Sequence, residues 1–163
     1  MTEWEKRLQF HEGFKDKKYK CTAGKWTIGY GHNLEARQFT LEEKKALGDW
    51  ERGITKNAAA MLLRNDMEIC LEKLKTLGYW YYLDKDRQYA LLDMCYQLGW
   101  DGLKGFRKML EAIRTKDYNE AAKQCVESKY GRIDTPTRAK RIAYLIKTAR
   151  WIESSSDLKD IKI

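Results

Sequence analysis

Residues 12–33 read EGFKDKKYKCTAGKWTIGYGHN, and the fold class follows from a change of pattern within them. Before it, Thr2 begins a helical pattern whose inward residues recur every four positions up to Glu12, and Gly13 ends that pattern. From Phe14 to Asn33 the pattern changes to short strand-like runs broken by glycines. That change predicts a small antiparallel sheet directly after an N-terminal helix.

The rest of the chain is predicted to be helical. A short helix is expected over 41–47, and a longer one over 57–77 is long enough to join two lobes. Further helical patterns cover residues 86–98, 106–114, 117–127 and 135–149. The predicted fold is therefore α+β and mainly helical, with a small antiparallel β lobe and a larger helical lobe joined by a long helix. In this single domain the β lobe is 13–56, the connecting helix 57–78, and the helical lobe 1–12 with 79–163.

Hydropathy and cysteine spacing exclude several classes of protein. The longest mostly apolar helical pattern, 86–98, is interrupted by charged residues, so no membrane-spanning segment is predicted. Residues 2–12 lack the apolar core of a signal peptide. The four cysteines show no zinc-site spacing and are expected to be reduced thiols in a chain made in the cytoplasm.

The net charge of +8, from 32 basic and 24 acidic residues, favours a polyanionic partner. Nucleic acid, an anionic membrane surface and a cell-wall polymer all fit that charge. Residues 129–150 carry seven Lys or Arg and one acid, Asp134. This segment is either a solvated helix or a contact for anionic envelope polymers. Because no recognised nucleic-acid motif is present, we expect no nucleic-acid partner.

Two features of residues 12–33 have chemical potential. A carboxyl group at Glu12 would lie on an apolar stripe at a helix C-terminus, and both conditions favour the protonated form that a general acid needs. An ordinary surface glutamate is the alternative. In the strand, alternation puts Thr27, Gly29 and Gly31 on one nearly bare face. Such a face permits close approach either of a ligand or of another backbone.

The same residues carry a family resemblance. Glu12, Cys21 and Thr27, followed by IGYGH, resemble the catalytic signature of glycoside hydrolase family 24, the lysozymes of T-even phages and their relatives. The segments GITK (53–56), YQLGWDGLKGF (96–106), NEAA (119–122) and TPTRAKR (135–141) follow in the family's order. The resemblance implies hydrolysis of the β-1,4 bond between N-acetylmuramic acid and N-acetylglucosamine in bacterial peptidoglycan. It also implies host cell lysis, a lysozyme fold with its cleft between lobes, a monomer, and no metal or organic cofactor.

By that resemblance Glu12 is the general acid, while Cys21 and Thr27 match the second catalytic residue and its helper. Position 21 is usually Asp in the family. A thiol of ordinary pKa, about 8.5, is mostly protonated at neutral pH, unless neighbouring lysines lower that pKa. Cys21 and Thr27 are expected to place an attacking water, with inversion at the sugar. Direct attack by a Cys21 thiolate, with retention, is the alternative.

Further site residues also rest on the resemblance. His32 is expected to pair with Asp66 rather than to act in catalysis, and Arg138 to orient Glu12. Gly29 and Gly31 would support the site. The residues implied in substrate binding are Asn33, Tyr96, Met109 and Gln124.

Three other functions compete with hydrolysis: a lytic transglycosylase, a non-hydrolytic wall-binding module and a basic nucleic-acid binder. For a lysozyme without a signal peptide, we expect accumulation in the host cytoplasm until release to the cell wall. The sequence leaves open whether it acts as a free endolysin or as part of a virion.

Overall fold

The region from Lys15 to Asn33 folds as a three-stranded antiparallel sheet in the computed structural model, which describes all 163 residues. Its strands, in sheet order, are β1 (Lys15–Lys20), β2 (Trp26–Gly29) and β3 (His32–Asn33). Lys20 lies opposite Trp26 and Tyr19 opposite Thr27, with an irregularity in β1 between Lys15 and Tyr19. The sheet is therefore where the change in sequence pattern predicts it.

Eight α-helices account for most of the remaining chain. They are α1 (Glu3–Glu12), α2 (Leu41–Leu47), α3 (Lys56–Leu74), α4 (Lys85–Lys104), α5 (Arg107–Arg114), α6 (Tyr118–Glu127), α7 (Pro136–Thr148) and α8 (Ser155–Lys159). The predicted α+β class, mainly helical with one small antiparallel sheet, is confirmed. None of the helices has the length and apolar character needed to span a bilayer.

Local capping signals set the helix starts near the site. The Thr2 hydroxyl accepts a hydrogen bond from the Glu5 backbone N–H at 3.2 Å, and the Glu5 carboxylate accepts one from the Thr2 N–H. This reciprocal capping box satisfies two amides at the start of α1. Gly13 ends the helix with a φ of +66°, a conformation that glycine adopts without strain.

The ends of two helices differ from the sequence prediction by three residues or more, and one further helix was not predicted. The long helix α3 ends at Leu74 rather than Leu77, because the next residues close tighter turns: the Leu77 N–H donates to the Leu74 carbonyl at 3.0 Å. Helix α4 continues past Leu98 to Lys104, with a kink at Gly99, where φ is 77° and ψ 165°. Helix α8 was not predicted, and it begins where the Ser154 hydroxyl accepts from the Asp157 N–H.

The chain forms two compact units, Met1–Ile69 (the first unit) and Cys70–Ile163 (the second unit). The first has a core that includes Leu8, Ile28, Ala59, Leu62 and Leu63, and the second one that includes Leu91, Leu92, Ala139, Ile142 and Leu145; all are at most 1% exposed. The predicted lobes grouped residues 1–12 with the C-terminal helices, and that division stays a prediction. No disulfide joins the four cysteines.

Candidate active site

The Glu12 carboxyl group lies against the backbone of Gly31. A Cβ atom added to Gly31 would come within 2.8 Å of Glu12 Cδ and 3.2 Å of its Cγ, and closer still to Oε2. Gly31 also has a φ of +74°, which L-residues with a side chain rarely adopt. The turn between β2 and β3 thus leaves room for the carboxyl group at the end of α1, and only glycine provides that room.

Gly29, the other glycine of this segment, has a different neighbour. A Cβ atom there would meet the Ala59 Cβ at 3.0 Å and the Ile54 Cδ1 at 3.3 Å. Ala59 lies on α3, so Gly29 permits close packing of the sheet on that helix. The two glycines of the predicted bare face therefore have different roles. Gly29 permits packing within the protein, and Gly31 makes room for the Glu12 side chain.

Cys21 lies in the turn that joins β1 and β2. Its N–H donates to the Lys25 carbonyl at 2.9 Å, and the Gly24 N–H donates to the Cys21 carbonyl at 2.8 Å. Burial of the Cys21 thiol raises its pKa, but hydrogen bonds from the Lys25 and Ala23 N–H groups and from the Thr27 hydroxyl outweigh burial, so the pKa is lowered. Hydrogen bonding, rather than the lysine charges that the sequence left open as a cause, lowers the pKa.

The Thr27 hydroxyl has two acceptors for one proton. In the structure it donates to the Lys25 carbonyl at 2.9 Å, while the hydrogen bond that lowers the Cys21 pKa requires it to donate to sulfur. A hydroxyl rotates about its C–O bond, so the Thr27 hydroxyl is able to donate to either acceptor. Donation to sulfur stabilises a Cys21 thiolate, whereas beside a neutral thiol the hydroxyl donates to the Lys25 carbonyl. Thr27 itself is buried, which restricts its position.

The Tyr19 hydroxyl is affected by the charges of both Glu12 and Cys21. Burial raises the pKa of the Tyr19 hydroxyl, and the negative charges of Glu12 and Cys21 raise it further. Both groups therefore lie within electrostatic range of one hydroxyl. Tyr19 is also opposite Thr27 across the β1–β2 pair, so it neighbours Thr27 by strand pairing and responds electrostatically to Glu12 and Cys21. The sequence interpretation overlooked Tyr19, although its place two residues before Cys21 was a usable signal.

His32 and Asp66 form the predicted pair. His32 Nδ1 lies 2.6 Å from Asp66 Oδ2, and His32 is only 2% exposed. The same carboxylate accepts from Arg37, whose Nε and Nη2 lie 2.9 and 2.8 Å from Asp66 Oδ1. The His32 ring also stacks on Phe39 with 5.4 Å between ring centroids. These contacts fix β3 against α3 and leave the supporting role of His32 as a prediction.

Arg37 also binds Glu43, and the sequence interpretation missed both residues. Two guanidinium nitrogens of Arg37 donate to the Glu43 carboxylate at 2.8 and 2.7 Å, and Asn65 Nδ2 donates to it at 2.7 Å. Glu43 is fully buried, yet the Arg37 hydrogen bonds lower its pKa to about 2 against the opposing effect of burial. The Thr40–Glu43 capping box was the available signal. We call Arg37, Glu43, Asn65, Asp66 and His32 the arginine network.

Asn33, a predicted substrate residue, uses part of its side chain locally. Its Oδ1 accepts from the Glu35 N–H at 2.8 Å, which closes a turn after β3. Its backbone pairs with Thr27 across β2 and β3. The side-chain nitrogen of Asn33 makes no hydrogen bond in the structure and is therefore the part that a sugar could meet.

The second unit carries the other predicted substrate residues. Met109 and Gln124 line a pocket of about 580 Å³, together with residues of the α4–α5 turn. Met109 is 1% exposed, and Gln124 Nε2 donates to Glu120 Oε1 at 2.7 Å. Tyr96 is half-buried on α4 and is not among the residues that line this pocket. Of the three predicted substrate residues in the second unit, Met109 and Gln124 thus share one pocket and Tyr96 does not.

Arg138 has a carboxylate partner within the second unit. Its Nε donates to Asp93 Oδ1 at 2.9 Å, and the Tyr89 hydroxyl donates to Asp93 Oδ2 at 2.9 Å. Asp93 is fully buried, so this ion pair compensates a charge that water cannot reach. The predicted role of Arg138 in orienting Glu12 stays a prediction.

Comparison with known proteins decides the family. A family model described as phage lysozyme matches residues 9–141. The chain belongs to the phage lysozyme family. Among relatives of this lysozyme, probable T4-type lysozyme 1 of Dictyostelium discoideum is 31% identical over 156 residues, which cover 86% of this chain and 91% of that protein. Probable T4-type lysozyme 2 of the same organism is 29% identical with the same coverage.

A third relative is a larger protein. The pre-baseplate central spike protein Gp5 of Enterobacteria phage T4 is 29% identical over 155 residues, which cover 86% of this lysozyme and 27% of the spike protein. Together these findings confirm the resemblance inferred from residues 12–33. The protein is a glycoside hydrolase of the lysozyme type, and peptidoglycan is the substrate of that type.

Proposed function

We propose that this lysozyme cleaves the β-1,4 bond between N-acetylmuramic acid and N-acetylglucosamine, with Glu12 as general acid and Cys21 and Thr27 placing the attacking water. The observation that carries the proposal is the relation of Glu12, Cys21 and Thr27 to one residue, Tyr19, which pairs with Thr27 across the strands. The Glu12 carboxyl group, at the end of α1, and the Cys21 thiol, whose pKa is lowered, both act electrostatically on the Tyr19 hydroxyl of β1.

The proposed reaction needs two proton transfers. Glu12 gives its proton to the glycosidic oxygen as the bond from that oxygen to the anomeric carbon breaks. Water attacks the anomeric carbon from the opposite face and loses a proton to the Cys21 thiolate, which becomes a thiol. The lowered pKa of Cys21 supports this role, because it increases the fraction of thiolate at neutral pH. Exchange with solvent then restores both groups.

Product analysis of digested peptidoglycan tests the proposal. Glu12→Gln keeps the size of the side chain but has no proton to give, so we expect the rate to fall by about 10²–10⁴-fold. Following the anomeric configuration of the first product by NMR distinguishes water attack from thiolate attack. Retention of configuration would contradict the water mechanism, and anhydromuramic products would identify a lytic transglycosylase instead.

Variants at position 21 test the role of the thiol. Cys21→Asp is expected to keep activity, because a carboxylate can also accept the proton from water, whereas Cys21→Ala should lose most of it. Cys70→Ala, the same change at another half-buried cysteine, is the matched control and should leave activity unchanged. Full activity in Cys21→Ala would remove Cys21 from the mechanism.

We also propose a role in host cell lysis and contact with anionic envelope polymers. The net charge of +8 supports attraction to such polymers, and that attraction should weaken with salt. Addition of the protein to host cells whose cell wall has been made accessible from outside tests the lytic role. A fall in turbidity that Glu12→Gln does not cause is the expected result, and equal lysis by both proteins would contradict it.

A further inference from the structure

Strands β1 and β2 and the turn between them carry a concentration of positive charge that no carboxylate of the protein compensates. Residues 15–26 contain five lysines and one acidic residue, Asp16. The lysines are Lys15, Lys17, Lys18, Lys20 and Lys25; all are exposed, and none forms an ion pair. We call residues 15–26 the lysine hairpin. Its charge is available to a partner.

The basic segment at 129–150, for which the sequence left open a solvated helix or such a contact, is partly committed to the second unit. Lys129 lies 3.7 Å from Asp134, and Arg138 binds Asp93. Arg141 is buried and donates to the backbone carbonyls of Ile152 and Glu153 at 2.7 and 3.0 Å. Residues that hold their own unit together are poor candidates for a docking surface, so the lysine hairpin is the stronger one.

An exposed tryptophan lies within the lysine hairpin. Trp26 is 41% exposed, and Lys18 Nζ and Lys20 Nζ lie 5.5 and 5.2 Å from the centroid of its indole ring. Both distances are in the range of a cation–π contact. The surface thus combines an indole ring that is 41% exposed, and so retains area for contact with a sugar ring, with two ammonium groups that bind anions.

The strand register separates this surface from the proposed catalytic groups. Lys20 and Trp26 are opposite each other, and so are their neighbours Tyr19 and Thr27. Because successive side chains of a strand point to opposite faces, the Lys20–Trp26 pair and the Tyr19–Thr27 pair project from different faces of the sheet. A ligand bound at Trp26 therefore leaves the groups around Tyr19 free for a substrate.

We propose that the face formed by Lys18, Lys20 and Trp26 binds a second strand of peptidoglycan, separate from the strand being cleaved. Stem-peptide carboxylates bind the two ammonium groups, and a sugar ring stacks on the indole. This proposal rests on the proposed function, since it takes peptidoglycan as the polymer. A polymer with many repeats can occupy two places on one protein, and binding at the first raises the effective concentration at the second.

The first test measures binding to purified sacculi that have been stripped of phosphate-bearing polymers. Lys18→Gln/Lys20→Gln is compared with its parent in a Glu12→Gln background, so that the wall stays intact. We expect about five-fold weaker sedimentation with sacculi at low salt, the sum of two weak surface charge contacts. Lys44→Gln/Lys45→Gln removes the same charge from two exposed lysines on α2 and should bind like the parent.

The outcomes of this binding test are distinct. Equal loss in both double variants, or loss in neither, would overturn the proposal. So would a defect seen only on sacculi that retain phosphate polymers, because the partner would then be those polymers. A defect that persists after an amidase removes the stem peptides would contradict the role of their carboxylates. Digestion of sacculi by the Glu12→Gln parent would count against the proposed function alone.

The second test separates binding of a second strand from catalysis. In the wild-type background, Lys18→Gln/Lys20→Gln and Trp26→Leu are each expected to lower kcat/KM on intact sacculi about five-fold. Neither should change kcat/KM on a short soluble oligosaccharide, which is too small to occupy both places. Equal losses on both substrates would place these residues at the cleavage site and overturn the proposal, as would unchanged activity on sacculi.

Discussion

The arginine network and the lysine hairpin belong to the same unit but use charge in opposite ways. Arg37 has all of its charge compensated by two carboxylates, one of them fully buried. Lys18 and Lys20 have only an indole ring beside them. In the network, charge stabilises the fold because it is removed from water with its partners. In the hairpin, charge stays hydrated and available, so it contributes to recognition rather than stability.

Breaking the network at its cation should have the largest effect. Arg37→Met leaves the Glu43 carboxylate buried without its strongest partner, and we expect the free energy of unfolding to fall by about 3–5 kcal/mol. Urea unfolding followed by circular dichroism measures this change. Lys45→Met, which removes an exposed cation from α2, is the control and should stay near the wild type. A small effect at Arg37 would mean that Glu43 is not held as the structure indicates.

Low pH should have the second-largest effect on the stability that the arginine network provides. The folded pKa of Glu43 is about 2, below its ordinary value of 4.5, so its contribution is fully present above about pH 4.5 and is lost as pH falls through about 2. The contribution is on the order of 3 kcal/mol. Urea unfolding between pH 5 and pH 2 measures it. Glu43→Gln should show a shallower dependence on pH, and an unchanged slope would assign the acid sensitivity to other groups.

Loss of the shared carboxylate should have a smaller effect. Asp66→Asn keeps the shape of the side chain but removes the charge that His32 and Arg37 share, and we expect a loss of about 1–3 kcal/mol. Specific activity on peptidoglycan should change little, because the network supports the sheet and takes no part in the proposed proton transfers. A large loss of activity at unchanged stability would instead make His32 a functional residue.

Removal of charge from the lysine hairpin should have the smallest effect on the free energy of unfolding. Lys18→Gln/Lys20→Gln removes two exposed charges that have no ion-pair partner, so the free energy of unfolding should change by at most about 0.5 kcal/mol. Thermal unfolding at low and high salt checks this expectation. Marked destabilisation would show that the lysines contribute to the fold, and the contrast with the arginine network would then disappear.

Sequence patterns predicted local features better than distant ones. The start of α1 followed from Thr2 and Glu5, which satisfy each other within one helical turn. The continuation of α4 to Lys104 was missed because the helical pattern stops at Leu98, where Gly99 kinks the helix without ending it. Helix α8 was missed because its five residues are too few for a periodic pattern, and its only signal was the cap at Ser154.

The candidate site shows the same limit. Glu12 was noticed from its position at a helix end, but catalytic roles for Cys21 and Thr27 came only from a resemblance, and spacing alone did not indicate how close the three residues lie. The pairing of Arg37 with Glu43 and Asp66 joins residues as far as 29 positions apart, so no local pattern revealed it. The cause of the lowered Cys21 pKa could not be predicted either, because the sequence does not show which backbone N–H groups point at the thiol.

The contact between Glu12 and Gly31 makes position 31 a site for designing a non-cleaving probe. One added methyl group would occupy the volume that the acid now fills, while every charge in the protein would be kept. Gly31→Ala therefore offers a reagent that retains the electrostatic surface of the enzyme but displaces its acid. Attached to a fluorophore, such a variant would label cell walls by the same surfaces with which the active enzyme approaches them.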